Sequence, residues 1–279
     1  MRCIFCKKDS SNSKSVEHII PESLGNKKQI LSKGIVCDSC NNYFALKIEK
    51  PVLEMPYYVS LRGRKAIETK KGKIPGIPGF MKNRNETELK VFPSESNTLK
   101  IVVEDQDVWD SIKNYDKVYV PLYDKPPKDN LNISKFVGKI AIEAFAKRVS
   151  LAEDWQNDFV ENDGLDELRH FVRFGKGYTM WPYHIRRICD ENQISYDKKS
   201  NKIMEKMNEY DFFIPEKPTV DGENHRLDNL YFVMAIMGIE YTINLTNAGL
   251  SRYLKWLSDN DNKSILQMKK SQFHSNLNI

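Results

Sequence analysis

The stretch MRCIFCKKDSSNSKSVEHIIPESLGNKKQILSKGIVCDSCNNYFALKIEK, residues 1–50, decides how this chain is read. Four of the five cysteines lie in it, as two C-x-x-C pairs, Cys3 with Cys6 and Cys37 with Cys40, spaced C-x2-C-x30-C-x2-C. Disulfides are rare in a reducing compartment, so this grouping reads as metal ligation. Each pair makes a tight knuckle that presents two thiolates to one ion. Two knuckles complete the tetrahedral set that Zn2+ prefers. Four protein ligands leave no open position, so such a zinc is structural. It supplies folding free energy to a segment too small to bury a core of its own.

Between the knuckles lies SVEHIIPESLGN, residues 15–26, where Glu17 and His18 are adjacent and an apolar Ile19-Ile20 precedes Pro21. Asn41 and Asn42 directly follow the last cysteine of the second pair. A lone histidine here would read as the surface end of a strand. Taken together, CIFC, EHIIPESLGN and CDSCNN resemble the HNH endonucleases, in particular the subgroup with a zinc-stapled ββα-metal core, over residues 3–50. The resemblance implies a β-hairpin followed by a helix, gripping one divalent cation. Its acidic and histidine positions match Glu17 and His18. Its last position, at the helix start, matches Asn41, 23 residues beyond His18, with Asn42 as the neighbouring alternative. The family's middle Asn falls near Ser32; Asn26 is the alternative, and no role is carried to that position.

These residue types suit phosphodiester hydrolysis. A histidine titrating near pH ~6.5 can take a proton from water, which makes His18 the expected general base. A hard cation with oxygen ligands stabilises charge on the phosphoryl group and on the leaving oxygen. Glu17 and Asn41 are its expected ligands, and so small a ligand set suits Mg2+ or Mn2+. The expected substrate is DNA, with RNA left open; 5′-phosphate and 3′-hydroxyl products are implied by the resemblance alone. After Asn41, the residues Tyr43, Phe44, Leu46 and Ile48 are expected to form a packed helix face, with Lys47 and Lys50 free to meet phosphates.

Charge supports a polyanion contact at one end. Residues 1–90 carry a net charge of +9 and residues 91–279 a net of −4. The segment SLRGRKAIETKKGKIPGIPGFMKNRNE, residues 60–86, lacks helical periodicity and reads as an extended basic connector. Its Arg62, Arg64, Lys65, Lys70, Lys71 and Lys73 are candidate phosphate contacts. Beyond it, 88–93, 99–105 and 117–122 read as strands and 106–114 as a short helix. The clearest helix is 133–150, with Ser134 as cap, an apolar face, and Lys139, Glu143 and Lys147 spaced for i,i+4 pairing. A helix over 166–175, strands over 210–215, 230–238 and 239–245 and an amphipathic helix over 249–259 follow. WPYHIRRIC, residues 181–189, reads as a half-buried strand with an exposed arginine pair.

The expected fold class is α+β, in three parts: a zinc-stapled HNH module over 1–58, the basic connector over 59–87, and a mixed α+β domain over 88–279 for binding, regulation or assembly. A homodimer or a partner protein would engage through that last domain. With 40% hydrophobic and 29% charged residues the chain reads as globular. It has no apolar run of the ~18–20 residues a membrane helix needs and no secretory h-region, so the cytoplasm is the expected compartment. A large accessory domain on an HNH module also resembles effectors of bacterial restriction and anti-phage defence. Two other functions fit the cysteines: a non-catalytic zinc-stabilised nucleic-acid-binding module, and an interaction domain active only within a larger complex.

Overall fold

A computed structural model describes residues 1–69, 71–81, 87–93, 98–103, 109, 117–197, 202–205, 208–215 and 229–268. In chain order its elements are β1 (Glu17–His18), β2 (Ile30–Leu31), α1 (Asp38–Phe44), α2 (Lys50–Leu53), α3 (Pro56–Arg64), β3 (Ile77–Met81), β4 (Thr87–Pro93), β5 (Leu99–Val102) and β6 (Val118–Tyr119). There follow α4 (Leu131–Val149), α5 (Trp155–Glu161), α6 (Asp166–Phe174), β7 (Tyr183–Arg187), β8 (Ile194–Asp197), β9 (Lys202–Glu205), β10 (Asn208–Phe213), β11 (Tyr231–Ile236), β12 (Ile239–Asn244) and α7 (Ser251–Asp259). Ala45–Glu49 form a π-helical turn. The expected helix over 106–114 lies outside the described residues, apart from Trp109. Among the described residues no helix is long and apolar enough to cross a membrane.

The mixed α+β class holds. The chain divides into two compact units. One comprises Met1–Ile20, Lys27–Glu49 and Pro127–Ile279, the other Pro21–Asn26 and Lys50–Pro126. This division follows spatial contact and differs from a linear cut near residues 58 and 88.

The first unit is built on the antiparallel sheet β10-β11-β12-β7. Every residue of β11 and β12 is buried. Tyr231 and Val233 face Tyr253 and Leu257 of α7. On the opposite face, Phe212 packs at a tilt against Phe145 of α4 and against Phe232, with ring centroids 5.4 Å apart in each pair. A sheet covered on both faces needs apolar side chains in both directions, so 230–245 runs nearly unbroken in apolar residues instead of alternating.

Helix α4 is the hub. Its residues Ile133–Ala146 are almost all buried. Its cap is Asn130, whose side chain accepts from the backbone N–H groups of Asn132 and Ile133, not Ser134. Ser134 sits inside the first turn and donates its hydroxyl to the Trp181 carbonyl at 2.6 Å. The expected i,i+4 pairing of Lys139 with Glu143 is present, at 3.1 Å, but it lies in the interior. Lys139 and Glu143 are fully buried, and only Lys147 reaches solvent. In β7, Trp181 precedes the strand in the core, and Arg186 is not exposed but bonded through Nε to the buried Glu240 at 2.6 Å.

The second unit holds α2, α3 and the antiparallel sheet β5-β4-β3-β6. The basic segment read as an extended connector thus starts in α3 and includes the interior strand β3. Proline is the misleading signal. Pro56 occupies the first turn of α3, where its missing N–H costs nothing. Pro78 lies in β3 where β6 does not pair, since β6 meets only Phe80 and Met81.

Gly138 lets α4 approach α6 closely. A Cβ there would stand 2.8 Å from Val172 Cγ2 and 3.1 Å from Leu168 Cδ1. Gly138→Val should therefore overpack this contact and destabilise the protein by about 1–3 kcal/mol. A thermal melt followed by circular dichroism checks this; an unchanged midpoint would show that the helices have room to spare.

Candidate active site and cysteine metal centre

The first knuckle closes on itself. The Lys7 N–H donates to the Cys3 carbonyl at 2.9 Å, with Lys7 in the left-handed region at φ 60°. The second knuckle is the start of α1. Cys37 is its N-cap, and its sulfur accepts from the Cys40 N–H at 3.4 Å. The helix N-terminus favours negative charge there. Across the knuckles the Cys37 N–H donates to Cys3 Sγ at 3.4 Å.

All four sulfurs lie within 4.8 Å of one another, and Cys6 Sγ to Cys37 Sγ is 3.7 Å. A tetrahedron with Zn–S bonds of ~2.3 Å has edges of ~3.8 Å, so the four cysteines are positioned for a zinc site. Four thiols this close cannot all ionise unaided. The hydrogen bond from Cys40 lowers Cys3 to about 5, whereas burial raises Cys6 to about 11. The Cys40 thiol is pushed up as the donor in that bond and by burial. A divalent cation removes this conflict.

Residues far along the chain close around this centre. Arg173 of α6 donates from Nε to Cys40 Sγ at 3.1 Å and lies over the Tyr43 ring, 4.3 Å from its centroid. Lys7 pairs with Asp166 at 2.8 Å, and Arg2 pairs with Glu161.

Strand β1 carries Glu17 and His18 and pairs with β2 in the register Glu17↔Leu31, His18↔Ile30. Asp38, in the first turn of α1, accepts from the Lys14 and Ser15 N–H groups at 3.0 and 2.9 Å and from the Ser15 hydroxyl at 2.6 Å. That hydroxyl bond holds its carboxyl below the usual range. Asp38 thereby fixes the chain entering β1. Asn41 completes the contact, donating from Nδ2 to the Val16 carbonyl at 3.4 Å. A carbonyl can only accept, so the amide nitrogen must face it and Asn41 Oδ1 remains available as a donor to a cation.

The candidate residues are disposed as follows. His18 is half-buried and Glu17 buried, as successive residues of a strand alternate in direction. Asn42, Lys47 and Lys50 are exposed. Phe44 and Ile48 are buried, but Leu46 is 53% exposed. The π-helical turn from Ala45 closes i→i+5 and shifts the phase of the packed face. Ser32 is exposed in the turn after β2, and Asn26 belongs to the second unit. Also in that unit, Arg62 is buried and donates to the Leu53 carbonyl at 3.3 Å, while Lys71 and Lys73 are exposed. Arg64 and Lys65 are half-buried there, and Lys70 lies outside the described residues.

Sequence reasoning missed the partners of Glu17. Its carboxylate accepts from Lys139 Nζ, which also donates to the His18 carbonyl at 3.2 Å and to Glu49 Oε1 at 2.7 Å. Glu143 stands 3.1 Å from the same ammonium. Burial pushes Glu17 and Glu143 up. Burial alone would lower Lys139, but Glu143, Glu49 and Glu17 outweigh it and hold the lysine firmly protonated. The available signal was two charged residues at core phase in an otherwise apolar helix.

Removal of the metal is directly testable. Chelation, or Cys37→Ser, should release one zinc per chain and lower the melting temperature of the whole first unit, because α6 and α1 both close on the cysteines. Elemental analysis paired with a thermal melt reads both quantities. Full thermal stability in metal-free protein would refute a structural role.

Comparison with known proteins agrees with the geometry. Residues 3–56 match the family model described as HNH endonuclease. No curated protein and no solved structure matches the chain. The matched segment spans both knuckles, β1, β2, α1 and the π-helical turn, and so takes in the four cysteines positioned for zinc.

Proposed function

We propose that the protein is a metal-dependent HNH endonuclease that hydrolyses phosphodiester bonds in DNA. The observation that carries this reading is the approach of Asn41 to β1. The helix-start amide is bonded to Val16, the residue that leads into β1 and the Glu17–His18 pair, with its oxygen left for a cation. His18 is the general base: it accepts the proton of the attacking water. Glu17, through the carboxylate oxygen not bonded to Lys139, and Asn41, through Oδ1, would hold Mg2+ or Mn2+. Such an ion supplies stabilisation of the charged transition state and of the leaving oxygen. Lys47, Lys50, Arg64, Lys65, Lys71 and Lys73 are candidate phosphate contacts in the two units. Arg62 is a poorer candidate because it is buried. A part in restriction or anti-phage defence rests on resemblance alone.

One observation favours the second reading, a non-catalytic zinc-stabilised nucleic-acid-binding module: Glu17 is already neutralised by an internal cation. Plasmid cleavage with Mn2+ or Mg2+ separates the two. General-base catalysis is worth roughly 10²–10⁴-fold, so His18→Ala should lose at least about 100-fold in rate while zinc content and folding stay intact. Equal cleavage by both proteins, or none by either, would remove His18 from this role. Binding has its own readout. Lys71→Ala with Lys73→Ala should flatten the dependence of DNA affinity on salt by about two counterions. An unchanged slope would take those lysines off the DNA.

A further inference from the structure

We propose that Lys139, which lies outside the matched HNH segment, is a positioning residue for the nuclease site. It clamps β1 and the helical segment that follows Asn41 to one point, and so sets where Glu17 stands relative to Asn41. The inference rests on the nuclease reading above.

An ammonium has three protons to donate. Those of Lys139 go to Glu17 Oε1, to the His18 carbonyl and to Glu49 Oε1. The first two acceptors belong to the adjacent motif residues of β1. The third lies in the π-helical turn after α1. All three acceptors therefore belong to the HNH module, while the lysine itself projects from α4. Glu143, one turn further along α4, supports the ammonium from behind at 3.1 Å. The three bonds point to two separate elements, so sliding or rotating β1 against the helix breaks at least one of them. Glu17 is proposed to ligate from the first of these elements, and Asn41 from α1, which runs directly into the second. Their separation is thus a property of the clamp.

Stability alone is a weak reason for such a cluster. Buried ion pairs are often replaceable by apolar residues at little or no loss, and Lys139 is fully enclosed on a helix whose neighbours Phe136, Ile140 and Ile142 are apolar. Partners that orient a metal ligand have a measurable value instead: losing one typically costs about 10–100-fold in metal affinity or activity.

The test uses the full-length zinc-loaded protein. Lys139→Met combined with Glu143→Leu removes the buried lysine and its helix partner together, which avoids leaving Glu143 uncompensated. Glu49→Gln weakens the clamp from the helix side and keeps the lysine. Mn2+ binding is measured by calorimetry, and plasmid cleavage gives kcat and KM. For the double variant the expected result is Mn2+ affinity weakened by about 10–100-fold, a fall in kcat of similar size, and an unchanged KM for DNA. Glu49→Gln should shift both in the same direction by a smaller factor. A folded double variant with unchanged or tighter Mn2+ binding and normal kcat overturns the clamp. If the double variant does not fold, Glu49→Gln decides alone, and unaltered Mn2+ affinity overturns it. Wild-type protein that neither binds Mn2+ nor cleaves removes the nuclease reading itself, and this inference with it.

Discussion

The convergence of four cysteine sulfurs on one point is the constraint on which the rest of the site depends. Strands β1 and β2 have two residues each, and a two-stranded ribbon of that size has no stability of its own in water. The sulfurs of Cys3 and Cys6 and those of Cys37 and Cys40 bring the two ends of this segment together, and α1 starts at the join. Asp38 and Asn41, one and four residues past Cys37, then reach back to the chain around β1. The strand that carries Glu17 and His18 is therefore positioned by the helix start, and the helix start by the cysteines.

A second layer of charge fixes this small module within a larger unit. Arg173 meets a cysteine sulfur and Lys7 meets Asp166, and Lys139 binds both motif residues of β1. These are polar contacts, some deeply buried, where an apolar interface would be the cheaper way to hold two elements together. Directional bonds to sulfur, carboxylate and carbonyl fix orientation as well as proximity. Orientation is what the proposed hydrolytic site would require, since small displacements of a reacting group lower a rate strongly.

Much of the architecture was legible in the sequence where local chemistry governs. The cysteine spacing announced the cluster of four sulfurs positioned for a metal. The apolar runs at 230–245 announced strands, and Gly175 closed α6 as expected. The misread elements share a cause, which is that a neighbour distant in sequence decided them. Pro78 reads as a strand breaker, yet it sits where β6 does not reach. Leu46 reads as core, yet a π-helical turn rotates it to solvent. Ser134 reads as a cap, but Asn130 takes that place and Ser134 turns to Trp181.

The sequence by itself determined where four cysteines could meet, because that depends on spacing along a short segment, and it offered Glu17, His18 and Asn41 as candidates beside them. It also determined the α+β class, which follows from hydrophobic period. Only the tertiary structure decided the surroundings of Glu17. Lys139 lies 122 residues from it, and its spacing in sequence points only to pairing along its own helix. Its burial follows from how α4 packs against β1 and the π-helical turn. A charge at core phase in a helix marks that something must neutralise it. Which carboxylates do so is set by the contacts of distant chain segments, which spacing along one helix does not encode.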